Sequence, residues 1–323
     1  MKAADEKQTL HCSIIVCTYN RCDILKNTLS ELRNQIYHNE KLEIVVVDNG
    51  STDDTREIVA AAQIDCRHRI KYVYEPQLGL SEARNRGVES SRGQIVIFID
   101  DDAQPKSRDW VQRLTSAYSA PEVAAAGGQL QPVWPNNHRP EWLPEFLVHT
   151  LGLTKFRHSE IAELHYPYYP WGANISFWKE SLKKLNGFST ELGRVGQNLI
   201  CGEETELCLR LEKTGGKIVY VPDAQVDHLV TEEKLSEDWF RKRALCQGVT
   251  DAKIESTHYS KIRLTLSCFR RLANLVLHLG ALWISVLAQS RKYTLLFEYK
   301  VKVAYAYLSH MLKSLLKFVG GNR

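Results

Sequence analysis

Hydrophobic positions in the first hundred residues alternate between short continuous runs and stretches with helical spacing. Four runs rich in β-branched residues predict strands, at 13–18, 42–47, 70–74 and 94–99. Three amphipathic stretches predict the helices between them: residues 22–35, a helix capped by Thr52, and residues 81–90. This alternation is typical of β-α-β units, so we expect an α/β fold with a mixed, mainly parallel, Rossmann-like sheet flanked by helices.

The hydrophobic pattern loosens from residue 123 to about residue 165, where prolines and tryptophans are frequent. We interpret this part as irregular structure that lines or covers a site. Order resumes with segment 169–177, a turn at Asn186-Gly187, a helix over 203–213 and a strand over 217–221. We therefore place one main domain over residues 1–262, with halves of about 12–130 and 131–262.

The tail, residues 263–323, differs from the main domain because residues 272–287 are mostly apolar and have basic residues at both ends. A membrane-spanning helix needs roughly 20 apolar residues, and this run is shorter and is interrupted by Asn274, His278 and Gly280. We predict a helical extension that lies on a membrane surface or packs in the protein or an oligomer. A true span is the least favoured alternative.

The composition excludes few classes of protein, but it indicates the cellular compartment. A net charge of +4 gives little support for nucleic-acid binding, which normally needs concentrated basic surface. The eight cysteines contain no C-x-x-C pair and predict free thiols in a reducing compartment. The first dozen residues are polar, unlike a secretory signal, so we expect a cytoplasmic protein, which the tail could hold at the cytoplasmic face of a membrane.

Three consecutive carboxylates, Asp100-Asp101-Asp102, follow the fourth predicted strand. Such a cluster is costly unless a cation or strong hydrogen-bond donors lie beside it, and hard oxygen ligands favour Mg2+ or Mn2+. Asp100 and Asp102 would point the same way if strand geometry continues. A solvated acidic turn or a helix cap is the alternative interpretation.

The first two predicted strands also end in polar residues, in Thr18-Tyr19-Asn20-Arg21 and in Asp48-Asn49-Gly50-Ser51. The carboxyl ends of parallel strands form the usual ligand edge of such sheets. These groups could therefore bind the base and ribose of a nucleotide beside the carboxylates. Polar turns that cap the next helix are the structural alternative.

Four motifs, in this order and spacing, resemble glycosyltransferase family 2, the inverting family with the GT-A fold. They are V-x-x-Y-N at 16–20, V-D-N-G-S-T-D at 47–53, G-L-S-E-A-R-N-R-G at 79–87 and the D-x-D triplet at 100–102. The resemblance covers roughly residues 12–230. It implies transfer of a sugar from a nucleotide-diphosphate donor, with uridine as the expected base, to an acceptor hydroxyl in polysaccharide, glycolipid or cell-surface glycan synthesis.

The resemblance also implies a role for each matching residue. Asp48 would contact the nucleoside, Thr18 and Tyr19 would line the base pocket, and Arg84 would approach the nucleotide, although Arg84 could instead be a surface helix residue. The metal would be held by Asp102, with Asp100 near the ribose or the metal. The remaining residues expected at the nucleotide-sugar site are Asn20, Arg21, Asn49 and Asp101.

The segment from Gly202 to Leu207 resembles the family motif G-E-D-x-[DE]-L at the start of a helix. The matching position makes Glu204 the candidate base that takes the proton of the acceptor hydroxyl. This chain carries Glu where Asp is usual, and the adjacent Glu203 is the alternative base. Two glutamates at a helix N-terminus are also favourable for structural reasons alone.

Two further matches lie on the second half of the main domain. His228 occupies a place where GT-A enzymes bring a histidine back to the metal, which makes it the candidate third protein ligand. Trp171, Gly172 and Asn174 belong to a segment that resembles the acceptor-side W-G-A-N motif, in which an indole can stack on a sugar. A surface histidine and a core tryptophan are the structural alternatives.

Other functions are less compatible with the residues. Dehydrogenases and nucleotidyltransferases would need a glycine-rich loop after the first strand, and Cys17 to Arg21 contain no glycine. A noncatalytic scaffold with the same fold is the alternative from another class, but it would be expected to lose the carboxylates. Retention of Asp102, Glu204 and His228 favours an enzyme.

Overall fold

The computed structural model describes residues 11–37, 41–154, 158–196 and 198–320. The chain forms two compact units. Unit 1 comprises Met1–Pro132, Leu153–Glu191 and Glu203–Leu229, and unit 2 comprises Val133–Gly152, Leu192–Gly202 and Val230–Arg323.

Unit 1 is built on a mixed sheet with the order β3-β2-β1-β4-β8-β6-β9-β5, in which β7 also pairs with β9. The strands are β1 (Cys12–Thr18), β2 (Leu42–Asp48), β3 (Arg69–Tyr74), β4 (Ile95–Asp100), β5 (Ala103–Pro105), β6 (Val123–Val133), β7 (Ala162–Leu164), β8 (Ile175–Trp178) and β9 (Lys217–Leu229). The first four strands pair in parallel, whereas β8 runs antiparallel to both β4 and β6. The predicted α/β fold with a mixed sheet is confirmed, with its parallel pairing in the first four strands.

The helices follow the predicted positions in the first half of the chain. They are α1 (Cys22–Arg33), α2 (Thr55–Gln63), α3 (Leu80–Ser90), α4 (Trp110–Thr115), α5 (Glu145–Val148), α6 (Lys179–Lys184), α7 (Glu203–Lys213), α8 (Glu237–His258), α9 (Lys261–Leu287) and α10 (Arg291–Gly320). Helix α1 buries Leu25, Thr28, Leu29 and Leu32, which lie three and four residues apart. Strand β2 is buried along its whole length, as expected for a strand covered on both faces.

The prediction of irregular structure from residue 123 onward is wrong at its start, because Val123–Val133 forms the strand β6. This strand is rich in alanine and glycine, which are weak strand formers, so a strand is hard to recognise in its residues. The small residues are needed for packing: a Cβ atom on Gly128 would lie 1.8 Å from the carbonyl oxygen of Ala224. Close approach of two backbones therefore selects glycine at this position.

Two element boundaries also differ from the prediction. Helix α2 begins at Thr55, and the predicted cap Thr52 instead donates its backbone N–H to Asn20 Oδ1 over 2.7 Å. The strand predicted over residues 217–221 continues to Leu229, so His228 lies within β9. The turn at Asn186-Gly187 is confirmed, with both residues at positive φ.

The helical C-terminal region is confirmed. Helix α10 packs against both α8 and α9, and it buries Leu295, Tyr299 and Tyr307. Within residues 11–320 as described, no helix is long and apolar enough to cross a membrane. Unit 2 continues from Val230 through the tail, so the division between the two units does not fall at Ile262. The tail as a separable extension stays a prediction.

Candidate active site

The polar ends of the parallel strands meet at one edge of the sheet, as the sequence predicts. Thr18 at the end of β1 aligns with Asp48 at the end of β2, and Cys17 aligns with Asp100 at the end of β4. This register brings the nucleotide-site candidates beside the carboxylate triplet. The edge also receives Arg84 from α3 and His228 from β9, which are distant in sequence.

Asp101 accepts the hydrogen bonds that connect the residues at this edge. Thr18 Oγ1 donates to Asp101 Oδ2 over 2.8 Å, and Arg21 Nη1 donates to Asp101 Oδ1 over 2.6 Å. The Thr28 hydroxyl donates to the backbone carbonyl of Asp101 over 2.7 Å. Burial raises the pKa of Asp101 to about 7, and the guanidinium of Arg21 opposes this rise. Thr18, Arg21 and Asp101 thus hold the turn that presents the two flanking aspartates.

Asp100, Asp102 and His228 form a group that can hold a metal ion, with one ligand atom of each lying within 4.8 Å of the others. His228 Nε2 lies 3.1 Å from Asp102 Oδ1, and Arg21 Nη2 donates to Asp102 Oδ2 over 2.9 Å. Two carboxylates and one imidazole suit Mn2+ or Mg2+. Asp102 and His228 are both buried, and the Nδ1 atom of His228 has no hydrogen-bond partner among the described residues, so the imidazole has a ring nitrogen free to bind a cation.

Arg84 is a buried cation that joins two parts of the site. Its Nη1 donates to Glu203 Oε1 over 2.5 Å, and its Nη2 donates to Asp100 Oδ1 over 3.3 Å. The guanidinium lies 5.7 Å from the Phe98 ring centroid and 5.6 Å from that of Phe188. The alternative that Arg84 is a surface helix residue is therefore wrong.

The two candidate bases, Glu203 and Glu204, occupy different environments although both are buried. Glu203 is hydrogen-bonded to Arg84, whereas the nearest oxygen of Glu204 lies 3.9 Å from Arg84 Nη1. Burial raises the pKa of Glu204 to about 8, the charge of Glu203 adds to this rise, and Arg84 opposes it. Glu204 is consequently a carboxylate with a raised pKa and with a weaker tie to the arginine than Glu203 has.

Asp48, the last residue of β2, and Asn49, which follows it, shape the loop at the edge of the site. Asp48 accepts hydrogen bonds from the Tyr72 hydroxyl over 2.7 Å and from the Ser51 backbone N–H over 2.8 Å. Asn49 donates to the carbonyls of Glu75 and Gln77 and accepts from the Gly79 N–H. Asn49 thereby shapes the loop that leads into α3.

Tyr19 and Asn20 lie at the exposed end of β1. The Tyr19 side chain is exposed, and Asn20 has a positive φ of 51°. The Asn20 backbone N–H donates to Ser51 Oγ over 2.9 Å, so the turns after β1 and β2 are tied together. Tyr19 is a predicted nucleotide-site residue, and its aromatic ring is exposed at this edge.

The predicted acceptor-side residues have packing roles in the structure. Asn174 is fully buried: it accepts from Trp110 Nε1 and donates to the carbonyls of Gln129 and Ala224. The half-buried Trp171 donates its indole N–H to the Leu153 carbonyl over 3.2 Å. These contacts suit side chains that position backbone, and contact with an acceptor stays a prediction for both.

The structure gives a separate reason why residue 172 is a glycine. A Cβ atom at this position would lie 2.2 Å from Arg84 Nη2. The guanidinium of Arg84 can occupy its place only because residue 172 has no side chain.

The sequence assigned no role to Phe188 or to Asn85, although Asn85 lies in the motif at 79–87. Asn85 donates to the Phe188 carbonyl over 2.9 Å and accepts from its N–H over 2.8 Å, which fixes the ring that lies beside Arg84. The Asn186-Gly187 dipeptide immediately before Phe188 indicated a turn at this place, but it did not indicate the contact with Arg84. Tyr72, the partner of Asp48, carried no comparable signal.

Comparison with known proteins supports the fold and the family. Residues 13–185, more than half of the chain, match the family Glycosyl transferase family 2. The chain is 28% identical over 314 residues to glucosyl-dolichyl phosphate glucuronosyltransferase of Haloferax volcanii, covering 93% of this chain and 96% of that protein. It is 27% identical over 248 residues to succinoglycan biosynthesis protein ExoM of Rhizobium meliloti, covering 76% of each.

Solved structures with the same fold include nucleotide complexes. Mannosyltransferase PcManGT of Pyrobaculum calidifontis, with GDP-Man and Mn2+, has a TM-score of 0.65 at 20% identity, covering 94% of this chain and 88% of that one. S. aureus TarS with UDP has a TM-score of 0.53 at 16% identity, covering 92% and 91%. The sequence match and the shared fold agree: this chain belongs to glycosyl transferase family 2 and is a glycosyltransferase with a GT-A fold.

Proposed function

We propose that this enzyme transfers a sugar from a UDP-sugar to a hydroxyl of a glycan or lipid-linked acceptor, with inversion at the anomeric carbon. The observation that carries the proposal is the buried Arg84, which joins Glu203, the neighbour of the candidate base, to Asp100, one of the metal-ligand candidates. Arg84 thereby connects the candidate base to the residues that would stabilise the leaving diphosphate. The name of the Haloferax relative, which includes a dolichyl phosphate, supports a lipid-linked acceptor.

Asp100, Asp102 and His228 are the residues that would hold a divalent metal. Such a metal supplies Lewis-acid stabilisation of the negative charge on a departing diphosphate. Asp101 and Arg21 keep Asp102 oriented, because Arg21 bonds to both carboxylates. The positive charge of Arg84 keeps Asp100 in place from the other side.

Glu204 accepts the proton of the acceptor hydroxyl in this proposal. A hydroxyl is a weak nucleophile, and a base whose pKa of about 8 lies near neutral pH is well matched to removing its proton. Glu203 balances the charge of Arg84 and leaves the neighbouring Glu204 without a close ion pair. Attack from the side opposite the diphosphate inverts the anomeric centre without a covalent sugar intermediate.

Thermal unfolding with UDP, GDP, CDP and TDP, each with and without Mn2+, tests the donor. A ligand that binds only the folded state raises the unfolding temperature. We expect a metal-dependent rise with UDP. A larger rise with GDP would replace uridine by guanosine in the proposal, and no rise with any of the four would contradict a nucleotide site.

Asp102→Ala tests the metal site, with Asp227→Ala as the matched control. Asp227 is an aspartate next to His228 in the chain, but it is half-exposed and pairs with Lys106 over 3.5 Å. We expect Asp102→Ala to abolish the Mn2+-dependent part of the UDP shift and Asp227→Ala to retain it. Equal shifts in the two variants would remove Asp102 as a ligand.

A further inference from the structure

Helix α9 turns a polar side toward its neighbours in unit 2. Arg271 Nη2 donates to Asp251 Oδ2 of α8 over 2.8 Å, and its guanidinium lies 4.7 Å from the Tyr307 ring of α10. Ser267 donates to Glu255 of α8, and the Tyr307 hydroxyl donates to the same carboxylate over 2.8 Å. The two buried residues of α9 are both serines, Ser267 and Ser285. Polar bonds therefore hold the inner side of this helix.

The outer side of α9 is apolar along its whole length. The exposed apolar residues recur mostly at three- and four-residue spacing: Ile262, Leu266, Phe269, Leu272, Val276, Leu277, Leu279, Trp283, Ile284, Val286 and Leu287. Their exposure is high, for example 77% for Ile262, 65% for Phe269 and 66% for Trp283. A helix on the surface of a water-soluble protein turns its apolar stripe toward the core, whereas α9 turns its apolar stripe outward. A continuous exposed apolar stripe marks a surface that another apolar medium or molecule covers.

The charges around the stripe distinguish between its possible occupants. Helix α9 contains four Lys and Arg residues and no Asp or Glu. Lys261, Arg263 and Arg270 are exposed, and Lys292 continues the basic series into α10. A second copy of the chain would bring these like charges toward one another, which opposes self-association. Anionic lipid headgroups would instead neutralise them.

We propose that α9 lies flat on the surface of an anionic lipid bilayer, with its apolar stripe at the headgroup and acyl boundary. The 27-residue helix is about 40 Å long at 1.5 Å per residue, so it offers an extended contact rather than a single anchor. Trp283 and Phe269 supply the aromatic side chains that partition well into a membrane interface. The basic residues beside the stripe supply the attraction to acidic headgroups.

The test is sedimentation of the full-length protein with vesicles, without donor or metal. We expect binding to vesicles of equal parts phosphatidylcholine and phosphatidylglycerol, weak binding to phosphatidylcholine alone, and weaker binding at high salt because salt screens the charges. The double variant Phe269→Gln/Trp283→Gln should bind at least about tenfold less tightly, since it removes two large apolar side chains from the interface. Both positions are exposed, so folding should be retained, which thermal unfolding checks.

The matched control is Ile64→Gln/Ile161→Gln, which removes two exposed apolar residues from unit 1 and should bind vesicles like the parent. Equal binding by the two double variants, or no binding of the parent to anionic vesicles, would overturn the proposal. Sedimentation velocity without lipid checks the other occupant: a dimer that Phe269→Gln/Trp283→Gln dissociates would assign the stripe to a second copy. Because no nucleotide is present, these outcomes are independent of the proposed sugar transfer.

Discussion

At the scale of single residues, the two glutamates at the start of α7 separate into different roles. Glu203 forms an ion pair with Arg84 through a hydrogen bond of 2.5 Å, whereas Glu204 Oε2 lies 3.9 Å from Arg84 Nη1. Burial and the charge of Glu203 raise the pKa of Glu204, and Arg84 opposes this rise. We therefore propose Glu204 as the base and Glu203 as the residue that positions Arg84.

Substitution of each glutamate by glutamine checks this assignment. We expect Glu204→Gln to lower kcat by about 10²- to 10⁴-fold with nucleotide affinity nearly unchanged, which is the range for loss of a general base. Glu203→Gln should instead weaken folding, because it leaves the Arg84 charge less well paired in a buried place. Calorimetric titration with UDP and Mn2+ and initial rates measure the effect of Glu204→Gln, and thermal unfolding measures the effect of Glu203→Gln. Loss of turnover in Glu203→Gln alone, with Glu204→Gln active, would reverse the two roles.

The raised pKa of Glu204 also predicts a pH dependence of stability. Its pKa moves from an ordinary value of 4.5 to about 8 in the folded protein, so the folded state holds a proton that the unfolded chain has lost between these values. Folding stability therefore falls as pH rises through this window. Glu204→Gln, a neutral mimic of the protonated acid, should raise the unfolding temperature by roughly a few degrees at pH 8 and by less at pH 5.

Differential scanning calorimetry of the parent and Glu204→Gln at both pH values makes this measurement. Glu89→Gln is the control, because the Glu89 carboxylate is exposed on α3 and should show no such pH-dependent gain. A stabilisation that is the same at pH 5 and pH 8 would show that the proton on Glu204 is not its cause.

At the scale of elements, the short turn before β8 and helix α3 fit together at one point. Gly172 lies against the guanidinium of Arg84, where a Cβ atom would lie within 2.2–2.8 Å of three of its atoms. Arg84 is in turn confined by the Phe98 and Phe188 rings. The helix, the turn and the two aromatic rings therefore act together to fix one side chain.

Gly172→Ala should displace Arg84 from Glu203 and Asp100. We expect a loss of about 1–3 kcal/mol in the free energy of unfolding, as for other overpacked sites, and a lower rate of sugar transfer. Gly280→Ala is the matched control, because a Cβ atom at Gly280 of α9 meets nothing within 4 Å and alanine is the better helix former. Chemical denaturation and initial rates compare the two variants. Equal stability and activity would show that Arg84 can move without cost.

At the scale of the whole molecule, the C-terminal helices belong to the fold of unit 2. Tyr307 of α10 is fully buried and donates to Glu255 of α8, which is itself buried. Helix α9 contributes a second bond to the same carboxylate through Ser267. The apolar outer stripe of α9 is thus presented by a packed three-helix arrangement rather than by a loose tail.

A chain that ends at Ile262 should therefore be much less stable than the full protein. Truncation removes the partners of Glu255 and exposes the side of α8 that α10 covers, which places apolar surface in water. We expect insoluble protein or an unfolding transition well below that of the parent, whereas Phe269→Gln/Trp283→Gln should unfold near the parent temperature. A stable, soluble 262-residue fragment would support the predicted domain boundary instead.

The sequence determined much of this protein because its strongest signals are local. Strand and helix periodicity predicted the first four strands, and the carboxyl ends of parallel strands necessarily meet at one edge. That rule alone predicts that Thr18, Asp48 and Asp100 lie together, and the strand register confirms it. The order of the motifs also indicated the family, which the comparisons show.

Only the tertiary structure decided which groups touch across long separations. The bond between Arg84 and Glu203 joins residues 119 positions apart, and the pKa of Glu204 depends on that pair and on burial, neither of which a local pattern contains. Nothing in the residues around Asn174 indicates that its amide is enclosed in the core. The pattern of α9 likewise revealed an apolar stripe but not its direction, because direction depends on the polar bonds that Ser267 and Arg271 make with another helix.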